Sequence, residues 1–196
     1  MSRNSQDTTK MIAQTALFAA LCYVGFQFLR IDIPIGPSKT AFHLGNAFLV
    51  TAALLLGGLQ GGLAGAIGMT IADLTSGYAT SAPQTFLMKL LIGLIVGLVA
   101  HKIGHLSEQK ETSKQITWSL LGALAGMVFN VLVDPILSYL RKRYLLGLEQ
   151  NIADIMAKWT ATTTLVNAVL AVIVAVLLYN ALVPLLRKAQ LTIKIK

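Results

Sequence analysis

Ten polar side chains interrupt otherwise apolar stretches of the chain: His43, Asn46, Asp73, Tyr78, Lys89, Asn130, Asp134, Trp159, Thr163 and Asn167. A carboxylate pairs with a protonated nitrogen and a lysine with an anionic oxygen, while amides give forked hydrogen bonds and aromatic rings stack. An ionisable group among apolar neighbours in a membrane is costly, so it marks a functional site by default. Each residue also has a structural alternative. Lys89 can neutralise Asp73 or Asp134, and Asp134 can serve the bend at Pro135. Asn130 and Asn167 can join helices, Tyr78 and Trp159 can be interfacial aromatics, and His43 can rest in headgroup water. Their joint placement is what carries the argument.

The elements that hold them are membrane helices. Of 196 residues, 55% are hydrophobic and only 12% charged, with a mean hydropathy of +0.69. That is too little charge for the shell of a soluble domain. Between Lys39 and Lys89 the only charge is Asp73. The composition gives an all-α integral membrane protein, a compact bundle of about six transmembrane helices forming one domain over 1–196. The helices are expected at about 9–29, 43–56, 60–75, 84–103, 116–140 and 156–186. Helices 2 and 3 are short for a span of roughly 20 residues and need tilt, thinning or shelter. Residues 30–42 read as a loop, because Pro34, Gly36 and Pro37 prevent a helix, and 107–115 as a second. An interfacial helix is an option for the connector after residue 143. The first helix is read as retained, being long for a signal segment, and Cys22 is alone within it.

An even helix count puts both termini on one side. With them inside, Arg3, Lys10, Lys102, Lys110, Lys114, Arg187, Lys188, Lys194 and Lys196 are cytoplasmic. Arg30, Lys39, Lys158 and the triplet Arg141-Lys142-Arg143 are outside. The count favours cytoplasmic termini, and the triplet opposes it. The net charge of +8 is explained by lipid headgroups, which removes nucleic acid as a partner. In this topology the polar residues fall in the outer half of the bilayer, describing a pocket open outward, with residues 30–42 as its lid. A channel or carrier needs polar groups along its path or at the midplane.

Small-xxx-small pairs, Gly58/Gly62, Gly61/Gly65, Gly93/Gly97 and Gly122/Gly126, are expected to pack the bundle internally. Ala13, Ala16 and Ala20 instead form a smooth strip on helix 1, suited to another protein's helix. No Gly-Lys dipeptide, His-Glu-x-x-His or Gly-x-Ser-x-Gly occurs, so neither an ATP-binding loop nor an enzyme is expected. The chain needs no cofactor of its own. His101 and His105 lack a third ligand, so no metal site is expected.

Three stretches carry a resemblance: Phe42-His43-Leu44-Gly45-Asn46-Ala47-Phe48, residues 54–62 (LLLGGLQGG) and residues 68–78 (GMTIADLTSGY). Together they resemble the S components of energy-coupling factor (ECF) vitamin transporters, nearest the hydroxymethylpyrimidine and pyridoxine-type branch. The resemblance implies a six-helix subunit of the bacterial cytoplasmic membrane with cytoplasmic termini, capturing a vitamin outside. It implies partnership with a transmembrane coupling protein and two cytoplasmic ATPases that use the ATP, and toppling of the subunit in the membrane. It also implies that Ala16-Leu17-Phe18-Ala19-Ala20 meets the coupling protein. On this basis the expected ligand is a vitamin B6 vitamer or hydroxymethylpyrimidine. The alternatives are an S component for pantothenate or riboflavin, a self-sufficient secondary transporter or channel, a membrane enzyme, and a purely structural subunit.

Overall fold

The computed structural model describes residues 3–35, 38–192 and 195. Gly36, Pro37, Lys194 and Lys196, used above for the lid and for orientation, lie outside these residues, as does the side chain of Arg3. Six helices follow one another: α1 (Arg3–Gln27), α2 (Gly45–Leu56), α3 (Gly58–Thr75), α4 (Ala82–Gly97), α5 (Thr112–Leu140) and α6 (Gln150–Lys188). π-helical turns extend α4 over Leu98–Ile103 and α5 over Arg141–Leu145. Four of these helical stretches are long and apolar enough to cross a membrane: Asp7–Gln27, Ala79–Ile103, Thr112–Leu145 and Gln150–Lys188. At 1.5 Å per residue, the 12 residues of α2 reach about 18 Å, well short of the ~30 Å hydrocarbon core. Shelter resolves the mismatch, because nearly every residue of α2 is buried by its neighbours.

The lid is not a loop. Residues Arg30–Ile35 (β1) and Ser38–His43 (β2) pair antiparallel, with Arg30 opposite His43 and Pro34 opposite Lys39. Alternating Ile31, Ile33 and Ile35 supply the period-2 pattern of a strand. Pro34 is tolerated because both strands of a two-stranded hairpin are edges. The connector between α5 and α6 holds no interfacial helix, since α6 begins already at Gln150. Likewise α5 begins at Thr112, inside the stretch expected to be a loop.

Glycine explains how α2, α3 and α4 fit together. Gly57 links α2 to α3 without a loop at φ 95°, a conformation that only glycine adopts without strain. A Cβ on Gly93 would land on the backbone of Gly62, and one on Gly97 on that of Gly58. Backbones therefore touch along this seam. Replacing Gly93 by Leu is expected to drive α3 and α4 apart, at about 1–3 kcal/mol or more of overpacking strain. A lower thermal midpoint in detergent is the expected reading; an unchanged midpoint would mean that the seam yields.

The termini meet at one end of the bundle, where the Gln14 Nε2 donates to the Leu191 carbonyl at 2.8 Å. The hairpin, the α3–α4 turn and the α5–α6 connector lie at the other.

Candidate functional site: a roofed polar cavity

At the hairpin end lies a cavity of about 660 Å³, lined by residues of α1, the hairpin, α3, α4, α5 and α6 and of the connectors at that end. Helical spacing selects its lining. Thr85 and Lys89 stand one turn apart on α4, and Asp134, Ser138 and Arg141 recur on one face of α5. On α6, Met156, Thr160, Thr163, Thr164 and Asn167 repeat every three or four residues. Met69 and Asp73 come from α3, and Phe26 from the end of α1.

The hairpin forms the roof and α6 fastens it. Asn167 receives the His43 backbone N–H on Oδ1 (3.0 Å) and donates through Nδ2 to the Ala41 carbonyl (2.9 Å). It thus behaves as a short extra strand beside β2. Thr40 and Thr163 join their hydroxyls at 2.8 Å. On the other flank, Asp32 takes hydrogen bonds from Lys39 Nζ and from the Tyr78 hydroxyl, both at 3.0 Å, and Arg30 Nε stands 3.3 Å away. Partial burial would raise the Asp32 pKa, but these two donors and the Arg30 charge more than offset it and hold the carboxyl below its usual range. The latch is therefore intact at neutral pH and weakens only as pH falls through that lowered pKa. Burial, then the Asp32 charge, push the Tyr78 phenol up, so it stays protonated and donates.

Beneath the roof, three rings gather. Phe26 and His43 have centroids 4.6 Å apart, and Phe26 meets Tyr78 edge-on at 5.9 Å. Desolvation, then the Lys89 and Arg30 charges, hold His43 far below its usual pKa. The imidazole is neutral, and its Nδ1 accepts the Gly45 N–H at 3.2 Å at the head of α2. Its proton is thus on Nε2.

The walls carry charge. Asp73, 2% exposed, takes a short hydrogen bond from the Thr85 hydroxyl. Asp134 accepts from Gln84 Nε2 (3.0 Å) and Thr164 Oγ1 (3.1 Å). Gln84 in turn accepts from Arg141 Nε at 3.1 Å, which links α4 to α5. Lys89 is only 7% exposed, and among the described residues its ammonium has no ion pair within 4.0 Å. The direct pairing with Asp73 or Asp134 that the sequence allows is not made.

Of the ten residues singled out, His43, Asp73, Tyr78, Lys89, Asp134, Thr163 and Asn167 line this cavity. Asn46, Asn130 and Trp159 are not among its lining residues. Asn130 is on the Asp134 face of α5 but one turn deeper, under the floor, at 1% exposure. Asn46 is likewise buried away from the space, and the Oδ1 of each has no hydrogen-bond partner among the described residues. Trp159 flanks the lining stripe of α6 and is 45% exposed. Sequence reasoning passed over Gln84, Thr85 and Thr164, which are uncharged, and assigned Arg141 and Lys142 to headgroups. The signal for Arg141 was its position seven residues after Asp134, on one helix face.

At the opposite end, His101 bonds Ser107 Oγ (2.9 Å) and the Ala53 carbonyl (3.2 Å). Among the described residues no group of three metal-ligating side chains occurs.

The described residues thus gather buried charged side chains around one cavity at the hairpin end, beneath a fastened roof. A model of the family described as "ECF-type riboflavin transporter, S component" matches residues 6–184. The chain belongs to the S components of ECF transporters, membrane transport subunits that act in vitamin uptake with an ECF module. No curated protein and no solved structure matches the chain.

Proposed function

We propose that the cavity captures a small vitamin or precursor with an ionisable heteroaromatic ring, a vitamin B6 vitamer or hydroxymethylpyrimidine. Capture occurs on the outer side of the bacterial membrane, with both termini cytoplasmic, and an ATP-using module delivers the ligand inward. The supporting observation is Lys89, a buried ammonium lining the cavity without an ion pair within 4.0 Å among the described residues. An unpaired charge so placed is costly, by several kcal/mol. The phenolate of a B6 ring would offset it, while Asp73 takes the protonated ring nitrogen and the Phe26, His43 and Tyr78 rings cover the faces. An aminopyrimidine has no phenolate and would instead make a forked contact with a carboxylate, so Lys89 favours the B6 ring of the two.

Riboflavin is the second reading, favoured by the family's description. Its ring system is uncharged at neutral pH and would leave Lys89 unpaired. Native mass spectrometry of the purified chain, followed by thermal shift with pyridoxine, hydroxymethylpyrimidine, pantothenate and riboflavin, separates the two. A stoichiometric B6 or pyrimidine ligand is the expected result; a response to riboflavin alone would replace it.

The roof predicts kinetics. Asp32→Ala removes the latch to Tyr78, a contact worth up to about 1 kcal/mol at this exposure, so the bound vitamin should leave up to about fivefold faster. Stopped-flow displacement reads this directly, and an unchanged off-rate would mean that Asn167 and Thr163 alone hold the hairpin down.

A further inference from the structure

The basic triplet at residues 141–143 opposes the charge rule for orientation, and a bound ring gives it no task. Its three side chains part company in the fold. Arg143 turns out to the Leu148 carbonyl at 3.0 Å. Arg141 and Lys142 both turn into the cavity. Arg141 reaches towards the start of α4, donating Nε to Gln84 Oε1 (3.1 Å) and Nη1 to Thr80 Oγ1 (3.0 Å). Lys142, 5% exposed, leans the other way and donates to Thr160 Oγ1 on α6 at 3.4 Å. A guanidinium has five N–H donors and an ammonium three, so both retain free donors.

The charges of the lining do not balance. Lys39 is answered by Asp32 at 3.0 Å. What remains is Lys89, Arg141 and Lys142 against Asp73 and Asp134. Among the described residues no carboxylate comes within 4.0 Å of any of those three cations. Both carboxylates are instead hydrogen-bonded to neutral donors, Thr85 for Asp73 and Gln84 and Thr164 for Asp134. A ring bound as a zwitterion, cation to Asp73 and phenolate to Lys89, adds no net charge. One positive charge would stay uncompensated among side chains of which Lys89, Lys142 and Asp73 are themselves buried, where it weighs most.

We propose that Arg141 and Lys142 form a second subsite that binds an anionic substituent of the ligand, a carboxylate or a phosphate monoester. This rests on the reading of the cavity as a vitamin site, with the ring itself under the hairpin near Lys89. Gln84 and Thr80 hold the guanidinium fork in place before the ligand arrives, which lowers the ordering cost of a two-pronged contact. Lys142 closes on the anion from the α6 side as a compact charge. The two basic residues on the outer face, against the orientation rule, thus have a use there.

The test compares matched ligands on the full chain in detergent: pyridoxine with pyridoxine 5′-phosphate, pyridoxine with 4-pyridoxate, and riboflavin with riboflavin 5′-phosphate. The anionic member of a pair is expected to bind at least about tenfold tighter by calorimetry. In the double variant Arg141→Gln, Lys142→Gln that preference, the ratio of the two affinities within a pair, should fall below about twofold. If the double variant does not fold, Lys142→Met alone should reduce the preference at least about threefold. Binding by the riboflavin pair only, with the phosphate preferred, would end the B6 reading and leave the subsite standing. Equal affinities within every pair that binds, a preference that survives the double variant, or no binding by any compound would overturn the subsite. Nanodiscs of phosphatidylglycerol supply the other source of phosphate. A preference maintained there supports a soluble ligand, and one abolished by the lipid overturns the assignment.

Discussion

Lys89→Ala should weaken vitamin binding at least about tenfold, or ~1.4 kcal/mol, and Asp73→Ala should do the same. Both side chains are buried, at 7% and 2% exposure, and both face the cavity. Removing either leaves the opposite charge of the bound ring without its buried partner. The effect on the empty protein separates a binding role from a structural one. A lysine that neutralised Asp73 or Asp134 directly would, on removal, strand a carboxylate and lower the thermal midpoint. With no ion pair within 4.0 Å among the described residues, Lys89→Met should leave the empty protein as stable as wild type or more so, because an uncompensated buried charge is replaced by an apolar side chain. The expected signature is therefore a maintained or raised midpoint without ligand, and loss of the ligand-induced shift. Unchanged affinity in both Lys89→Ala and Asp73→Ala would discard this site.

Legibility in the sequence followed the range of the physics involved. The six helices were readable because the cost of a polar group in hydrocarbon is set residue by residue. The clustering of polar residues at one end followed from topology alone: once the count is even, His43, Asp73, Lys89 and Asp134 must lie at the same face. What depended on local conformation was lost. Pro34 and the Gly36-Pro37 pair concealed a strand whose isoleucine alternation was in plain view. Asn130 shares a helix face with Asp134, but a turn of depth separates cavity wall from buried floor, and sequence does not measure depth to one turn. Arg141 and Lys142 were assigned to headgroups because a basic cluster at a helix end ordinarily belongs there. Only the orientation of the π-helical turn at Arg141–Leu145 directs two of the three inward. Whether Lys89 touches Asp73 is decided within a few ångströms, by three helices at once.

Placing Leu at both Ala16 and Ala20 should leave vitamin binding intact and abolish uptake. Helix α1 has two unlike faces. Phe18, Cys22 and Phe26 are buried against the bundle, and a Cβ on Gly68 would strike the Ala19 carbonyl. The face bearing Ala13, Ala16 and Ala20 is exposed. A helix that meets only lipid is indifferent to Ala or Leu, since hydrocarbon tails fill the space around either. A face that receives another helix is not, because small residues set how closely the backbones approach. Branched side chains there hold the partner off, at about 1–3 kcal/mol for an overpacked contact, which weakens assembly roughly five- to a hundredfold. Two readouts decide it: vitamin affinity and midpoint of the chain alone, which should not move, and co-purification with the coupling protein together with vesicle uptake, which should fail. Uptake at wild-type rate in the double variant would mean that α1 faces lipid in the working complex, and the module would then have to dock elsewhere. The separation of the two readouts follows from the geometry. The strip is the outward face of a helix whose inward face, near Phe26, reaches the cavity, so with this outcome capture and coupling would share one element without sharing a surface.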